Sequence, residues 1–260
     1  MIERTVDIND SPCRIWEKGE GDRVGFLAGF RGTPRWTPFL ERLSEKRRVI
    51  VPSLPGFPGA GTGHQVLDDT PDWIAMTLDL LEAAGLDGAD LIGESIGGML
   101  AAEVAALSRA SVRRLVLMAP LGLYDAREPV RNPFQTHRPN IPSLLTSSAD
   151  AYTAAFGPHS EDAAIMTEHE LTLLRADEAA ARLIWPFGER GLVKRLHRIA
   201  APTLLLWGTE DQIVPPSYAQ RFADGIRSAT RIETVIGAGH LASIDAPKEA
   251  AEAVLSFFSA

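Results

Sequence analysis

Apolar and polar positions alternate along this chain in a way that predicts strands and helices following one another in turn. Short apolar runs are followed by longer amphipathic stretches, and each is bounded by glycine, proline or polar residues. A turn at 9–12 separates the first two strand runs. The predicted strands cover residues 4–8, 14–17, 24–28, 48–51, 89–92, 112–118, 203–207 and 231–236. The predicted helices cover residues 36–46, 70–84, 99–107, 217–225 and 247–258.

Repeated strand–helix units of this kind are typical of an α/β fold. They predict a mostly parallel sheet of eight strands, covered by helices on both faces, with sites at the carboxyl ends of the strands. The alternation stops in a segment that has several prolines, no strand-like run, and helical stretches at 150–156 and 161–183. We therefore expect a core formed by residues 1–120 and 192–260, and a helical cap formed by residues 121–191 over the strand ends.

One glycine-rich corner, residues 93–98, carries the clearest chemical signal. Its sequence is Gly-Glu-Ser-Ile-Gly-Gly, and it lies between a predicted strand and a predicted helix. So tight a corner needs a strained backbone at its centre and small residues two positions before and after. Gly93 and Gly97 meet this need and leave Ser95 at the corner. The pattern predicts a nucleophile elbow that holds the Ser95 hydroxyl beside the positive end of a helix.

A nucleophilic serine needs a base to take its proton and a carboxylate to orient that base. Asp211 follows the seventh predicted strand, and His240 follows the eighth in a glycine-flanked loop. Glu210 is a rival carboxylate beside Asp211. Taken alone, Asp211 reads equally as a helix cap or a surface acid, and His240 as a turn residue. The chain order Ser95, Asp211, His240, each at the end of a strand, predicts a catalytic triad.

Composition and charge restrict the classes of partner. The chain has 260 residues, a formal net charge of -8 and a pI of about 5.3, which argues against nucleic acid or an anionic membrane as the main partner. The single cysteine, Cys13, lies in an early strand run and excludes an intrachain disulfide. With no signal peptide and no apolar run near the ~18 residues of a membrane span, we expect a cytoplasmic protein. No metal-ligand spacing or phosphate-binding loop appears in the sequence, so no cofactor is expected.

The sequence resembles the α/β-hydrolase superfamily over nearly its whole length, in particular its cap-bearing branch of esterases, meta-cleavage-product hydrolases and cofactor-free perhydrolases. The motifs that carry the resemblance are the corner at 93–98, Leu-Pro-Gly-Phe at 54–57, Trp-Gly-Thr-Glu-Asp-Gln-Ile-Val-Pro at 207–215, Gly-Ala-Gly-His at 237–240 and Asp-Ala-Pro at 245–247. The family pattern Trp-Gly-x-x-Asp-x-x-x-Pro implies Asp211 rather than Glu210 as the triad carboxylate. This chain departs from the family at Ala28, where His is common, and at Ser53, where Asp is common.

The resemblance also implies an oxyanion hole built from backbone N–H groups. Ile96 donates one because it follows the nucleophile, and the family pattern implies that Phe30 donates the other. The apolar residues expected to line the substrate pocket are Tyr124, Phe134, Trp185 and Leu241, with Met166 and Phe187 as further candidates. In meta-cleavage-product hydrolases a cap arginine meets the substrate carboxylate. Arg175 and Arg182 are candidates for that role, or else surface residues of an amphipathic helix.

These features predict a serine hydrolase that cleaves carboxylic esters with small or medium acyl groups through an acyl-enzyme. The expected partner is an apolar small-molecule ester or a related carbonyl compound. Hydrolysis of a C–C bond by the same triad is one alternative, although Glu94 and Leu241 occupy positions where that branch usually has Asn and Trp. A ligand receptor without activity on the same fold is the other alternative.

Overall fold

The computed structural model describes residues 1–259, which form one eight-stranded sheet with helices on both faces. The strands are β1 (Ile2–Ile8), β2 (Ser11–Lys18), β3 (Arg23–Leu27), β4 (Arg48–Pro52), β5 (Ala89–Glu94), β6 (Val112–Met118), β7 (Thr203–Gly208) and β8 (Thr230–Val235). Their order across the sheet is β1-β2-β4-β3-β5-β6-β7-β8. β2 is antiparallel to both of its neighbours, and the remaining pairs are parallel. The predicted α/β fold with eight mostly parallel strands is confirmed.

The first hairpin is tighter than the sequence pattern predicts. Asn9 and Asp10, both with positive φ, form the whole turn, so β2 already begins at Ser11. The predicted turn at 9–12 is therefore wrong at its second half. Proline is tolerated in this strand because only residues 15–18 of β2 pair with β4, which leaves Pro12 outside that ladder.

The nine helices described within residues 1–259 have clear boundaries. They are α1 (Pro38–Ser44), α2 (Thr70–Ala83), α3 (Ile96–Leu107), α4 (Ile141–Leu145), α5 (Ala149–Phe156), α6 (Ala163–Ile184), α7 (Tyr218–Gly225), α8 (Ala242–Asp245) and α9 (Pro247–Ser259). α1 is shorter than the predicted 36–46 because Thr37 caps it and Pro38 follows. The sequence pattern missed α4 and α8, which are too short to show a helical period. None of the described helices has the length and apolar character needed to cross a membrane.

Packing places the candidate site at the centre of the sheet. α2 and α3 cover one face with the larger apolar cluster, and α1 and α9 cover the other. β5 and β7 are buried at every position, so the loops that leave them start from rigid strands. The segment 121–191 contains α4, α5 and α6 and no strand. Its α6 packs against the 3-10 turn at Gly63–Val66 in the core. The assignment of this segment as a separate cap domain remains a prediction.

Candidate active site

Ser95 lies at the corner between β5 and α3. Its φ is 57° and its ψ is -118°, a conformation that costs a residue with a side chain ~1–3 kcal/mol. The two small residues around it are required by space. A Cβ on Gly93 would lie 2.4 Å from the carbonyl oxygen of Gly97, and one on Gly97 would lie 2.3 Å from that of Leu27. The close approach of strand and helix thus fixes the Ser95 hydroxyl at the N-terminus of α3.

His240 and Asp211 form a hydrogen-bonded chain with Ser95. The Nε2 atom of His240 lies 2.7 Å from Oγ of Ser95, and its Nδ1 atom lies 2.9 Å from Oδ2 of Asp211. Because an ionised carboxylate only accepts, Nδ1–H donates to Asp211, and Nε2 is left to accept the serine proton. The other carboxylate oxygen, Oδ1, accepts the N–H groups of Ile213 at 2.8 Å and Val214 at 3.0 Å. These bonds fix the carboxylate that holds the imidazole.

Burial separates the two rival carboxylates and closes the site. The side chains of Asp211 and His240 are fully buried, and Ser95 has no accessible surface. Glu210 is exposed. With water excluded, the hydrogen bonds between the three side chains are strengthened by the low local dielectric. A substrate can reach Ser95 only if part of the chain that covers it moves.

The loop after β3 brings the predicted oxyanion residue next to the nucleophile. A Cβ on Gly29 would lie 3.2 Å from Cβ of Ser95, so the loop backbone contacts the nucleophile directly. Phe30 follows in a turn closed by a 2.9 Å hydrogen bond from Gly32 N–H to the Gly29 carbonyl. No hydrogen bond within residues 1–259 uses the N–H of Phe30 or of Ile96. The two donors needed for an oxyanion hole are therefore available, and the turn orders this loop despite the family departure at residue 28.

Three of the predicted pocket residues, Phe134, Trp185 and Phe187, form an aromatic cluster with Phe30. The ring of Phe134 lies 5.4 Å from that of Phe30, and the rings of Trp185 and Phe187 lie 6.4 Å and 6.2 Å from that of Phe134. Trp185 is half exposed, so the cluster extends from the oxyanion loop to solvent. Met166 is 43% exposed on α6.

Leu241 and Tyr124 flank the nucleophile from other directions. Leu241 is buried, and a Cβ on Gly29 would lie 3.0 Å from its Cδ2 atom. Tyr124 is partly exposed and lines a small cavity together with Leu121, whose N–H donates to the carbonyl of Ser95 at 3.1 Å. Of the four residues chosen from the sequence, Phe134 and Leu241 contact the loop next to Ser95, whereas Trp185 and Tyr124 are exposed, and their assignment to a substrate pocket remains a prediction.

Neither cap arginine chosen from the sequence pattern is buried. Arg182 donates to the carbonyl of Gln65 at 3.2 Å and pairs with Glu178 on its own helix. Arg175 lies 3.9 Å from Glu168, also on α6. Their side chains remain 38% and 31% exposed, which agrees with the alternative that they are surface residues of an amphipathic helix.

The buried cation near the oxyanion loop is instead Arg31, which sequence analysis missed. Its side chain is 3% exposed, and its Nη2 atom lies 3.5 Å from Oδ2 of Asp177 on α6. The Nε atom of Arg31 and the Oδ1 atom of Asp177 have no hydrogen-bond partner within the described residues. Burial raises the pKa of Asp177, and the charge of Arg31 opposes that change. In the sequence, only the position of Arg31 directly after Phe30 could have suggested that it lies near the site, because burial of an arginine leaves no local sequence pattern.

Two further carboxylates that the sequence analysis did not assign hold the loop that carries His240. Asp245 accepts the N–H of Gly239 at 2.7 Å. It also accepts, at 2.8 Å, the N–H of Ser147, which lies in the loop between α4 and α5. Glu94 accepts the hydroxyl of Ser243 at 2.7 Å and its N–H at 3.2 Å. Both acids lie inside motifs quoted above, but only the fold shows what they bind.

Substitution of Glu94 by glutamine is expected to make stability less dependent on pH. Burial raises the pKa of Glu94 from 4.5 to about 7, so the native state binds more protons than the unfolded state between these pH values. Wild-type stability should therefore fall as pH rises through this window, by about 3 kcal/mol at most, and Glu94→Gln removes that loss. Denaturant unfolding of both proteins at pH 5 and pH 8 measures the difference. An equal difference at the two pH values would contradict the assignment.

Fold and site together define a class: an α/β enzyme with a serine on a strand-to-helix corner, a histidine within hydrogen-bond reach and a buried carboxylate behind it. A family model described as the alpha/beta hydrolase family matches residues 26–253. The chain belongs to this family, and it is a hydrolase. Within residues 1–259, no group of three His, Cys, Asp or Glu side chains is arranged to hold a metal ion.

Similar proteins cover nearly the whole chain. The 2-hydroxy-6-oxo-6-(2'-aminophenyl)hexa-2,4-dienoic acid hydrolase of Metapseudomonas resinovorans is 27% identical over 99% of this chain and 91% of its own length. A protein of Azorhizobium caulinodans with the provisional name carbamate hydrolase RutD is 30% identical over 92% of each chain. The crystal structure of a serine hydrolase involved in carbazole degradation, the CarC enzyme, has a TM-score of 0.76 and 25% identity, and covers 99% of this chain and 98% of that one.

Proposed function

We propose that this chain is a serine hydrolase that cleaves carboxylic esters through an acyl-enzyme on Ser95. The observation that carries the proposal is the buried hydrogen-bonded chain from Ser95 to His240 at 2.7 Å and from His240 to Asp211 at 2.9 Å. A buried serine hydroxyl needs only one such partner for stability. The complete chain of three, on a strained corner, is what nucleophilic catalysis requires.

The reaction takes two balanced steps. His240 Nε2 takes the proton of Ser95 as Oγ attacks the carbonyl carbon, and the N–H groups of Phe30 and Ile96 stabilise the resulting oxyanion. The tetrahedral intermediate collapses, the ester C–O bond breaks, and His240 returns the proton to the leaving alcohol. Water, deprotonated by His240, then attacks the acyl carbonyl carbon, the bond from that carbon to Oγ breaks, and His240 returns the proton to Oγ, which releases the acid and free Ser95. Asp211 stabilises the imidazolium in both steps.

The surroundings of Ser95 favour an apolar acyl group. Phe30 and Phe134 form an aromatic wall beside the oxyanion loop, and Leu241 closes the side next to Gly29. Because the triad is already fully buried, space for the acyl group must come from displacement of these side chains. Short acyl chains need the least displacement. Turnover is therefore expected to decrease as the acyl chain lengthens.

Hydrolysis of a C–C bond is the second candidate, and two observations favour it. The Metapseudomonas relative is named for a dienoic acid substrate of this type. Such a substrate has a terminal carboxylate, and Arg31 is a buried cation one residue from the oxyanion donor Phe30 with an unused N–H. A carboxylate on Arg31 would satisfy that N–H by a charge-assisted hydrogen bond. In this case Arg31 would bind the substrate, whereas in the ester case it would only pair with Asp177.

A substrate panel on the wild-type protein and on Arg31→Met separates the two candidates. For an esterase we expect hydrolysis of short p-nitrophenyl esters, slower cleavage of a 2-hydroxy-6-oxo-dienoate, and less than threefold change in ester turnover on Arg31→Met. For a C–C hydrolase the dienoate is the better substrate, and Arg31→Met raises its KM by about 10- to 100-fold, the worth of a charged hydrogen bond.

The control is Arg182→Met, which removes an exposed arginine of α6, the helix that also carries the Arg31 partner Asp177, and should change neither activity. Thermal unfolding of both variants shows that the protein remains folded. Absence of hydrolysis of every ester and of the dienoate, together with no reaction of Ser95 with a fluorophosphonate, would contradict both candidates and favour a receptor.

A further inference from the structure

The carboxylate of Glu94 links the strand that carries the nucleophile to the segment that follows the base. Glu94 is the last residue of β5 and directly precedes Ser95, and it is only 3% exposed. Both of its oxygens accept hydrogen bonds from one residue, Ser243: Oε2 from the hydroxyl at 2.7 Å and Oε1 from the backbone N–H at 3.2 Å. Since Ser243 is in α8, three residues after His240, this contact joins the strand of the nucleophile to the segment of the base.

The His240 loop is therefore held on both sides. Before His240, the N–H of Gly239 donates to Asp245 at 2.7 Å, and after it Ser243 donates to Glu94. After His240, the N–H of Leu241 also donates to the Leu145 carbonyl at 2.9 Å. Glu94 differs from Leu145 and Asp245 because it is joined to Ser95 by one peptide bond, so its contact with Ser243 ties the position of the His240 segment directly to the nucleophile.

The charge of Glu94 also acts on the base. Burial raises the pKa of Glu94 to about 7, while the two bonds from Ser243 and the charge of His240 oppose that rise, and Asp245 adds to it. His240 and Asp245 are the titratable groups that act on it. Glu94 and Ser243 line a small cavity, and the other described residues that line it, among them Phe26, Thr37 and Phe156, are uncharged. An ionised Glu94 thus attracts the imidazolium that arises on His240 when Ser95 attacks.

We propose that Glu94 is a positioning residue for the reaction: it holds Ser243 so that His240 stays aligned with Ser95, and its negative charge stabilises the imidazolium that forms. The inference rests on the proposed function of the triad. It assigns Glu94 a role through His240 and Ser243, without contact with the substrate. The buried charge is then retained at a cost to stability because it favours the reaction.

The test measures the rate at which a fluorophosphonate labels Ser95, as a function of pH, in wild-type protein and in Glu94→Gln. Labelling requires the same proton transfer to His240 as hydrolysis and needs no knowledge of the natural substrate. We expect Glu94→Gln to label Ser95 about three- to tenfold more slowly at pH 8, because the imidazolium loses a nearby negative charge. We expect the acidic limb of the pH–rate profile of Glu94→Gln to lie about 0.5 to 1 pH unit lower than that of the wild type and to follow the titration of a single proton. The wild-type limb should be broader, because Glu94 and His240 interact.

Ser243→Ala is the milder second variant. It removes the hydroxyl donor but keeps the backbone N–H, so it should shift the limb in the same direction by a smaller amount. Glu103→Gln is the matched control. Glu103 is 1% exposed on α3 and is paired with Arg195 at 2.6 Å, so its loss should lower the melting temperature but leave the pH dependence of labelling unchanged.

Labelling separates failure of this inference from failure of the proposed function. If wild-type Ser95 does not react with the fluorophosphonate, the proposed function is wrong. If it reacts, and Glu94→Gln and Ser243→Ala keep the wild-type rate and pH dependence, the proposed function stands and Glu94 is only a structural acid. A shift in Glu94→Gln equal to that in Glu103→Gln would overturn the inference in the same way.

Discussion

Replacement of Ser95 by alanine is expected to reduce turnover by about 10,000- to 1,000,000-fold while the protein stays folded. In the proposed mechanism this hydroxyl forms the acyl-enzyme, and its partner His240 lies 2.7 Å away. Alanine removes one oxygen from a fully buried position, so the loss of packing is small. The measurement is kcat/KM on the best substrate of the panel, together with fluorophosphonate labelling read by intact mass.

A control serine shows that the effect belongs to the corner. Ser44 in α1 is also buried, and its hydroxyl donates to the carbonyl of Glu41 at 2.7 Å. Ser44→Ala should change stability slightly and leave turnover and labelling as in the wild type. An active Ser95→Ala protein, or a label found on another serine, would show that the nucleophile has been assigned wrongly.

The sequence predicted the fold and the corner because both depend on local patterns. Alternation of strands and helices specifies a parallel sheet. Gly93 and Gly97 are needed on either side of Ser95 because a Cβ atom at either position would lie only 2.3 to 2.4 Å from a backbone oxygen. Asp211 and His240 could be named because Asp211 follows the buried strand β7 and His240 follows its parallel neighbour β8 at the edge of the sheet, and parallel strands end at the same edge. Their assignment as catalytic residues remains a prediction.

What the sequence pattern did not predict depends on contacts between distant parts of the chain. The resemblance to meta-cleavage-product hydrolases with a cap arginine suggested Arg175 and Arg182, whereas the fold buries Arg31 against Asp177, which lies 146 residues further along the chain. Glu94 was noted only as a departure from a family motif, and its partner Ser243 lies 149 residues away. Burial of a charged side chain is decided by tertiary packing, which no periodicity records.

Glu94 illustrates how such a contact affects stability and function in opposite directions. An ionised carboxyl group in a buried site destabilises the fold above pH 7, and Gln would avoid this cost. In the role proposed for Glu94, the same charge stabilises the imidazolium that forms on His240 when Ser95 attacks. We therefore expect Glu94→Gln to be the more stable protein at pH 8 and also the slower one, a combination that a purely structural carboxylate would not produce.

Asp211→Asn is expected to lower turnover by about 10,000-fold with little change in structure. Oδ1 of Asp211 accepts the N–H groups of Ile213 and Val214, so the asparagine oxygen must take that position to keep both bonds. The amide NH2 then faces Nδ1 of His240 in place of the acceptor Oδ2, which lies 2.9 Å from it in the wild type. Nδ1 also lies 3.1 Å from Oδ1, but that oxygen already accepts two backbone N–H groups, so we expect Nδ1 to accept from the nearer amide NH2 and the proton to move to Nε2.

A histidine in that tautomer presents an N–H to Ser95 and cannot take its proton, so the defect lies in proton transfer rather than in folding or binding. The expected signature is a large loss in kcat with nearly unchanged KM and melting temperature. Glu210→Gln is the matched control, because Glu210 is the adjacent acid but is exposed, and it should retain wild-type turnover. If Glu210→Gln were the crippled variant and Asp211→Asn the mild one, the buried bond from His240 to Asp211 would not be the one that orients the base.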